Sequence, residues 1–203
     1  MPKPRFRTVE MIIAASVVVI SVASLFVAVY QGIVMERTMK ASVWPLVQYD
    51  TSNYDTGREV SQLSFTLSNQ GIGPAHIETF ELFYQGETIT DTEGLLALCC
   101  SGQETVEEGR QYLRSLELPI ITSTVTDKIL STGENINFLI VRQTEDEREQ
   151  AVWDALNRER RDISLRVCYC SVFEDCWIFE HGRHQETIVQ RHSVDRCERP
   201  SAN

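Results

Sequence analysis

The sequence predicts a mainly β protein: an antiparallel β-sandwich-like domain with two helical additions, preceded by one N-terminal transmembrane helix, with an α+β layer fold as the alternative. Three observations lead there. An uncharged run of twenty residues, MIIAASVVVISVASLFVAVY, occupies Met11 to Tyr30. Beyond it, apolar residues mostly alternate with polar ones, the period of strands with one buried and one wet face. Turn-forming residues break that pattern at short intervals, so strands outnumber helices and stack in layers.

The apolar run comes first. At about 1.5 Å rise per residue it matches a hydrocarbon core of roughly 30 Å. A secretory signal peptide would end after about 7–15 apolar residues at a small-x-small cleavage site. Here Leu25, Phe26 and Val27 continue past Ser21-Val22-Ala23, which predicts an uncleaved signal anchor. A core helix would carry a polar face, and this one is apolar all round. Lys3, Arg5 and Arg7 precede the span while Arg37 and Lys40 follow it, so the positive-inside rule favours a cytoplasmic N-terminus by three to two. The expected organisation is a cytoplasmic segment 1–10, a transmembrane helix 11–30, a juxtamembrane helical extension 31–43 and one domain over 44–203. Removing Lys3, Arg5, Arg7 and Glu10 from the 19 basic and 29 acidic residues leaves 16 and 28 after the span, a net charge of about −12. That acidity argues against nucleic acid as a partner and against a domain lying flat on anionic lipid.

Gln31 to Ala41 lacks strand alternation and continues the helix out of the membrane, until Pro45 enforces an extended backbone. Leu63, Phe65 and Leu67 alternate with Ser64, Thr66 and Ser68 as a half-buried strand. It ends in NQGIGPA, where Asn69, Gly71, Gly73 and Pro74 form a structural turn. The glycines there permit backbone angles closed to other residues, the proline fixes the reversal, and HIETFELFYQG restarts as a second strand. Between Gly86 and Leu118 the pattern turns helical, with Ser101 and Glu104 as a capping box for an insertion near 101–116. Ile136 to Val141, INFLIV, holds the unbroken apolar run Phe138 to Val141 and is therefore read as a strand buried on both faces. Thr144 to Glu147, TEDE, repeats the capping pattern. Acids fill the first turn behind it and Arg158, Arg160 and Arg161 crowd the last, as a helix dipole prefers, giving a helix near 145–160. ISLRVCYCSV and CWIFEHG flank a short turn at Phe173-Glu174-Asp175 and form a hairpin.

All six cysteines, Cys99, Cys100, Cys168, Cys170, Cys176 and Cys197, follow the span. An even count on one side of a membrane suits disulfides in an oxidising compartment; facing the cytoplasm, the same residues would be free thiols or metal ligands. In ISLRVCYC, Ile163, Leu165, Val167 and Tyr169 point to one face, and Cys168 and Cys170 point to the other with Ser164 and Arg166. Those two thiols are placed to tie a segment onto the sheet's second face, either the stretch holding Cys99 and Cys100 or the tail holding Cys197. Cys176, across the turn, is the alternative partner for Cys170. Cys99 and Cys100 are not expected to pair with each other, because adjacent residues reach disulfide geometry only with strain. Zinc is the competing reading, with His181, His184 and His192 near Cys197, but no spacing reproduces a paired CxxC framework. Neither a metal nor a cofactor is expected.

No serine or cysteine nucleophile stands in an elbow or triad setting. Glu174-Asp175 and Asp146-Glu147 have sufficient roles in a turn and a helix start, and His76 caps the glycine turn. GIGPA lacks the third glycine and the following helix of a phosphate-binding loop. No catalytic residue is assigned; a hydrolase or thiol enzyme would draw on His181, Glu174 and Cys176 around the hairpin. Ala14, Ala15, Ser16, Ser21, Ala23 and Ser24 give the span small residues that can pack against another membrane subunit.

Three segments, the span running into ASVWPLVQ, the turn LSNQGIGPAHI and the hairpin CYCSVFEDCW, together resemble an uncharacterised family of small bacterial single-pass membrane proteins, in patches from Ala41 to Trp177. The resemblance implies a bacterial source, an N-terminal anchor and a β-rich domain outside the cytoplasm. It carries over no catalytic residue; Asn69, Gly71, Gly73 and Pro74 match the family's loop. The expected function is a membrane-anchored, non-enzymatic interaction or accessory domain of unknown ligand. Its address is the bacterial inner membrane, with a cytoplasmic N-terminus and a periplasmic C-terminal domain, and its partners are the membrane and a protein in the membrane or periplasm.

Overall fold

The computed structural model describes residues 5–184 and 187–198, with side chains for 8–182 and 191–198. The chain divides into two units, one holding the N-terminal helix and ending at Ser42, the other beginning at Val43.

Helix α1 spans Arg5–Ser42. Its 38 residues make a rod of about 57 Å at 1.5 Å per residue, nearly twice the thickness of a hydrocarbon core. The stretch Thr8–Ser42 is long and apolar enough to cross a membrane, and none of it is buried. Valines, isoleucines, leucine and phenylalanine stand exposed on every side between Val9 and Val34. The helix runs on past Tyr30 as the sequence predicts, and its later turns carry a Glu36–Lys40 ion pair at 3.7 Å.

The second unit is a two-sheet sandwich. In chain order it contains β1 (Val47–Asp55), β2 (Val60–Asn69), β3 (Ala75–Tyr84), β4 (Glu87–Ile89), α2 (Thr92–Cys100), α3 (Val106–Arg114), β5 (Ile120–Thr122), β6 (Lys128–Leu130), β7 (Asn135–Arg142), α4 (Glu147–Glu159), β8 (Ile163–Cys170), β9 (Cys176–His184) and β10 (Thr187–Val194). One sheet runs β1-β2-β7-β5 and the other β10-β9-β8-β3-β4, with β6 also paired to β3; all pairings are antiparallel.

Side-chain alternation builds the core as expected. Leu63, Phe65 and Leu67 of β2 and Ile163, Leu165, Val167 and Tyr169 of β8 are fully buried, and each of the aliphatic and phenylalanine side chains is worth roughly 1.5–3 kcal/mol of transfer free energy. Phe138 of β7 joins the layers, 4.9 Å from Phe80 and 6.1 Å from Phe65 between ring centroids. A register shift between Ile77 and Thr79 changes which residues of β3 face inward, from Ala75 and Ile77 to Leu82 and Tyr84. A bulge of this kind lets one strand serve two registers.

The helical insertion differs from expectation. It is two helices, so among the described residues the sandwich carries three helices rather than two. Asp91 caps α2 by accepting from the Gly94 N–H at 2.6 Å, and Thr105 caps α3 by accepting from the Glu108 N–H at 3.2 Å. Ser101 is instead the C-cap of α2, its hydroxyl donating to the Ala97 carbonyl at 2.6 Å. Thr105 and Glu108 have the same spacing as Ser101 and Glu104, and the second box is the one used because the first serine is already committed. In α4 the cap also lies later than the sequence predicts, by two residues: Asp146 accepts from the Arg148 and Glu149 N–H groups at 2.9 and 3.2 Å.

Candidate functional site

The glycine turn forms as predicted but for a different reason. Neither Gly71 nor Gly73 adopts a positive φ. Both are needed because the start of the folded unit passes directly over them. A Cβ on Gly71 would sit 2.5 Å from the Trp44 carbonyl oxygen, and one on Gly73 would fall 2.6 Å from the Cα of Val43. Asn69 completes this clamp. Its Oδ1 accepts from the Leu46 and Gly71 N–H groups at 3.1 and 2.9 Å, and its Nδ2 donates to the Gly73 and Leu130 carbonyls at 2.7 and 3.0 Å. Pro74 leads into β3, where His76 pairs its Nδ1 with the Glu78 carboxylate at 3.0 Å.

The cysteines gather at the turn end of the β8–β9 hairpin. Cys170 pairs with Cys176, its direct neighbour in register, and Cys168 pairs with Cys197 of the tail. The second face of the sheet is thus tied to the tail, one of the two segments the alternation allowed. Cys99 and Cys100 pair with each other, against the sequence expectation. The other four thiols are all used at the hairpin, which leaves these two only one another. Cys197 also lies 3.7 Å from Cys170, sulfur to sulfur, so Cys170, Cys176 and Cys197 form a triangle with every edge within 4.8 Å. A recess of about 500 Å³ opens beside it, lined also by His76, Glu78, Glu174 and Arg196. Cys168, Cys170 and Cys176 are buried and Cys197 is half-buried.

Of the histidines that compete as metal ligands, His181 and His192 do not join this cluster. His181 stacks edge-on against Tyr49 at 4.9 Å, and its Nδ1 is buried without a hydrogen-bond partner. Burial holds its pKa below the ordinary value, and burial raises that of Tyr49, against the opposing pull of the Thr51 hydroxyl. His192 is exposed opposite Ile178, and the side chain of His184 lies outside those described. His181, Glu174 and Cys176 are not brought together: His181 is five positions along β9 from Cys176, roughly 16 Å in an extended strand. The imidazole beside the sulfurs is His76, which the register sets across from Cys170. Nothing in the linear spacing could have shown that, since β3 and β8 are far apart in the chain.

A second candidate surface lies between α2 and β5. A cleft of about 490 Å³ has a floor of Leu96, Leu113, Leu116 and Leu118. Past Asp91, Thr92 and Thr122 it adjoins a recess of about 370 Å³, floored by Phe80, Leu82, Val125 and Phe138 and edged by threonines. Arg110 crosses the rim to Asp91 at 2.9 Å and Glu93 at 3.3 Å, and Arg114 reaches Glu93 at 3.0 Å. Burial would raise the Asp91 pKa, but the hydrogen bonds from Arg110 and the Gly94 N–H outweigh it and hold the carboxyl below its usual range. An apolar floor with hydroxyls and fixed charges at its edge is the make-up of a recognition site. Comparison with models of protein families, with curated protein sequences and with solved structures returns no match.

Proposed function

We propose that this chain is a membrane-anchored, non-enzymatic interaction or accessory domain on the outer face of a bacterial inner membrane. Its N-terminus lies in the cytoplasm and its β-rich body in the periplasm. The observation that carries the reading is the cleft between α2 and β5, with its leucine floor, threonine edge and Arg110–Asp91 rim. Behind it stand an unburied apolar helix of membrane-crossing length and six paired cysteines, as an oxidising compartment favours. The partner is a protein that inserts an apolar side chain between threonines. Substituting Thr122→Arg on the full-length protein plugs both recesses without touching the core. Partners captured by cross-linking in mild detergent should be lost from that variant; an unchanged set removes the cleft from the interaction. The address is tested separately: a C-terminal alkaline phosphatase fusion is active and a C-terminal GFP fusion is dark, and the reverse pattern rejects the orientation.

A second reading has its own observation. The Ser16 and Ser21 hydroxyls donate to carbonyls one turn back in their own helix, at 2.6 and 2.8 Å, so the small residues of α1 leave room for close packing on another membrane helix. Replacing Ala15 and Ser16 with leucine should break a complex formed that way while leaving the cleft intact.

A further inference from the structure

We propose that the sulfur triangle of Cys170, Cys176 and Cys197 is a thiol–disulfide exchange site that accepts two electrons from a dithiol at Cys197 and passes the remaining disulfide from Cys170–Cys176 to Cys170–Cys197. The inference is independent of the cleft but rests on the periplasmic address of the proposed function, because facing the cytoplasm the same residues would be free thiols.

Four observations carry it. Cys197 is half-buried and lines a recess of about 500 Å³, whereas its bonded partner Cys168 is buried. An incoming thiolate therefore meets the Cys168–Cys197 bond at the Cys197 sulfur. That same sulfur is 3.7 Å from Cys170, to which it is not bonded. All three sulfurs of the triangle lie within 4.8 Å of one another. Finally, the tail that carries Cys197 is held to β8 by its bond to Cys168, so release of that bond frees the Cys197 side chain to turn toward Cys170. Exchange rates depend on access and on which sulfur is attacked, and the fold fixes both.

The chemistry balances in two stages. A thiolate of the dithiol attacks the Cys197 sulfur; a mixed disulfide forms, the Cys168–Cys197 bond breaks, and its electron pair leaves on Cys168, which takes a proton. The second thiol of the reductant then attacks its own sulfur in the mixed disulfide, closing an oxidised ring and releasing Cys197 as a thiolate. The dithiol has lost two electrons and the protein has gained them. In the second stage the Cys197 thiolate attacks Cys170. The Cys170–Cys197 bond forms, Cys170–Cys176 breaks, and the pair leaves on Cys176 with no further change in oxidation state. The hairpin is then open at its turn while the tail remains tied to β8.

The test uses the full-length protein in mild detergent. Cys168→Ser leaves Cys197 as a permanent free neighbour of the Cys170–Cys176 bond. Held at mildly alkaline pH without reductant, then acid-quenched, alkylated and digested, it should show label on Cys176 as well as Cys197, and a Cys170–Cys197 peptide beside the Cys170–Cys176 one. Label confined to Cys197 overturns the proposal. If that variant does not fold, a protein carrying Cys99→Ser and Cys100→Ser, with the other four cysteines intact, is given a single equivalent of dithiothreitol and quenched. Free thiols at Cys168 and Cys176 support the relay. Free thiols at Cys168 and Cys197, or at Cys170 and Cys176, overturn it.

Discussion

Replacing Asn69 should destabilise the sandwich more than any other single polar substitution outside the disulfides. The side chain is fully buried, and its carboxamide uses its whole hydrogen-bonding capacity, two bonds accepted and two donated. Its four partners are backbone groups from three separate stretches: Leu46 at the start of the unit, Gly71 and Gly73 in the turn, and Leu130 at the end of β6. Asn69→Ala removes four bonds worth about 1 kcal/mol each and leaves two N–H groups short of an acceptor. The expected loss is about 4 kcal/mol, or about 8–16 °C in Tm for a body of this size. Urea unfolding followed by the fluorescence of buried Trp153 measures it in the full-length protein. Asn69→Asp sharpens the test, because it keeps the two accepted bonds but turns a carboxylate toward the Gly73 and Leu130 carbonyls. Those oxygens repel the charge and raise the folded-state pKa, so this variant is most stable below the unfolded value of about 3.9 and weakens as pH rises. A loss under about 1 kcal/mol for Asn69→Ala, or an Asn69→Asp protein whose stability does not fall between acid and neutral pH, would refute the clamp.

Cys197→Ser should lower stability by about 3.5 kcal/mol, since the bond to Cys168 closes a sequence separation of 29. Cys99→Ser should cost about 1 kcal/mol, since that bond closes almost no loop, and thermal unfolding with and without reductant ranks the two. His181 is depressed by burial, so it favours the fold above its unfolded pKa of about 6.5, and that stability is lost as pH falls through the folded value. His181→Gln should therefore flatten the mildly acidic limb of a Tm-against-pH curve. Asp146→Ala should cost about 1 kcal/mol as the lost cap of α4, whereas Glu145→Ala, one residue outside, should leave urea unfolding unchanged.

The sequence was most legible where one face of a strand is uniformly apolar. β2 and β8 could be read residue by residue, because Leu63, Phe65 and Leu67 in one and Ile163, Leu165, Val167 and Tyr169 in the other give unbroken inward series. β1 was not, since Val47 and Tyr49 alternate with Gln48 and Asp50 but lead into the polar run TSNYD. Helix α2 has no polar stripe to show its period: Leu95, Leu96 and Ala97 are consecutive and all buried. Caps slipped because Ser/Thr-x-x-Glu occurs twice within eight residues, and only tertiary context says which serine or threonine is free. The glycine turn was located correctly while its cause was not, because close backbone approach leaves no mark in the local sequence.

The cysteine pairing was half legible, and the missing half traces to one strand. Alternation along β8 showed that Cys168 and Cys170 share the outer face but could not say what covers them. The answer lies in β10, whose sequence TIVQRHSV carries too few apolar residues on one face to stand out as a strand. Once β10 is known to pair with β9, the register decides the rest. Val194 stands beside Cys176, and Cys176 beside Cys170. From Val194 the chain has three residues to reach Cys197, about 10 Å when extended, and crossing back from β10 over β9 to β8 takes two strand spacings, also about 10 Å. The tail is therefore just long enough to set Cys197 over β8, where Cys168 and Cys170 both wait, and that shared reach is what places three sulfurs in one triangle.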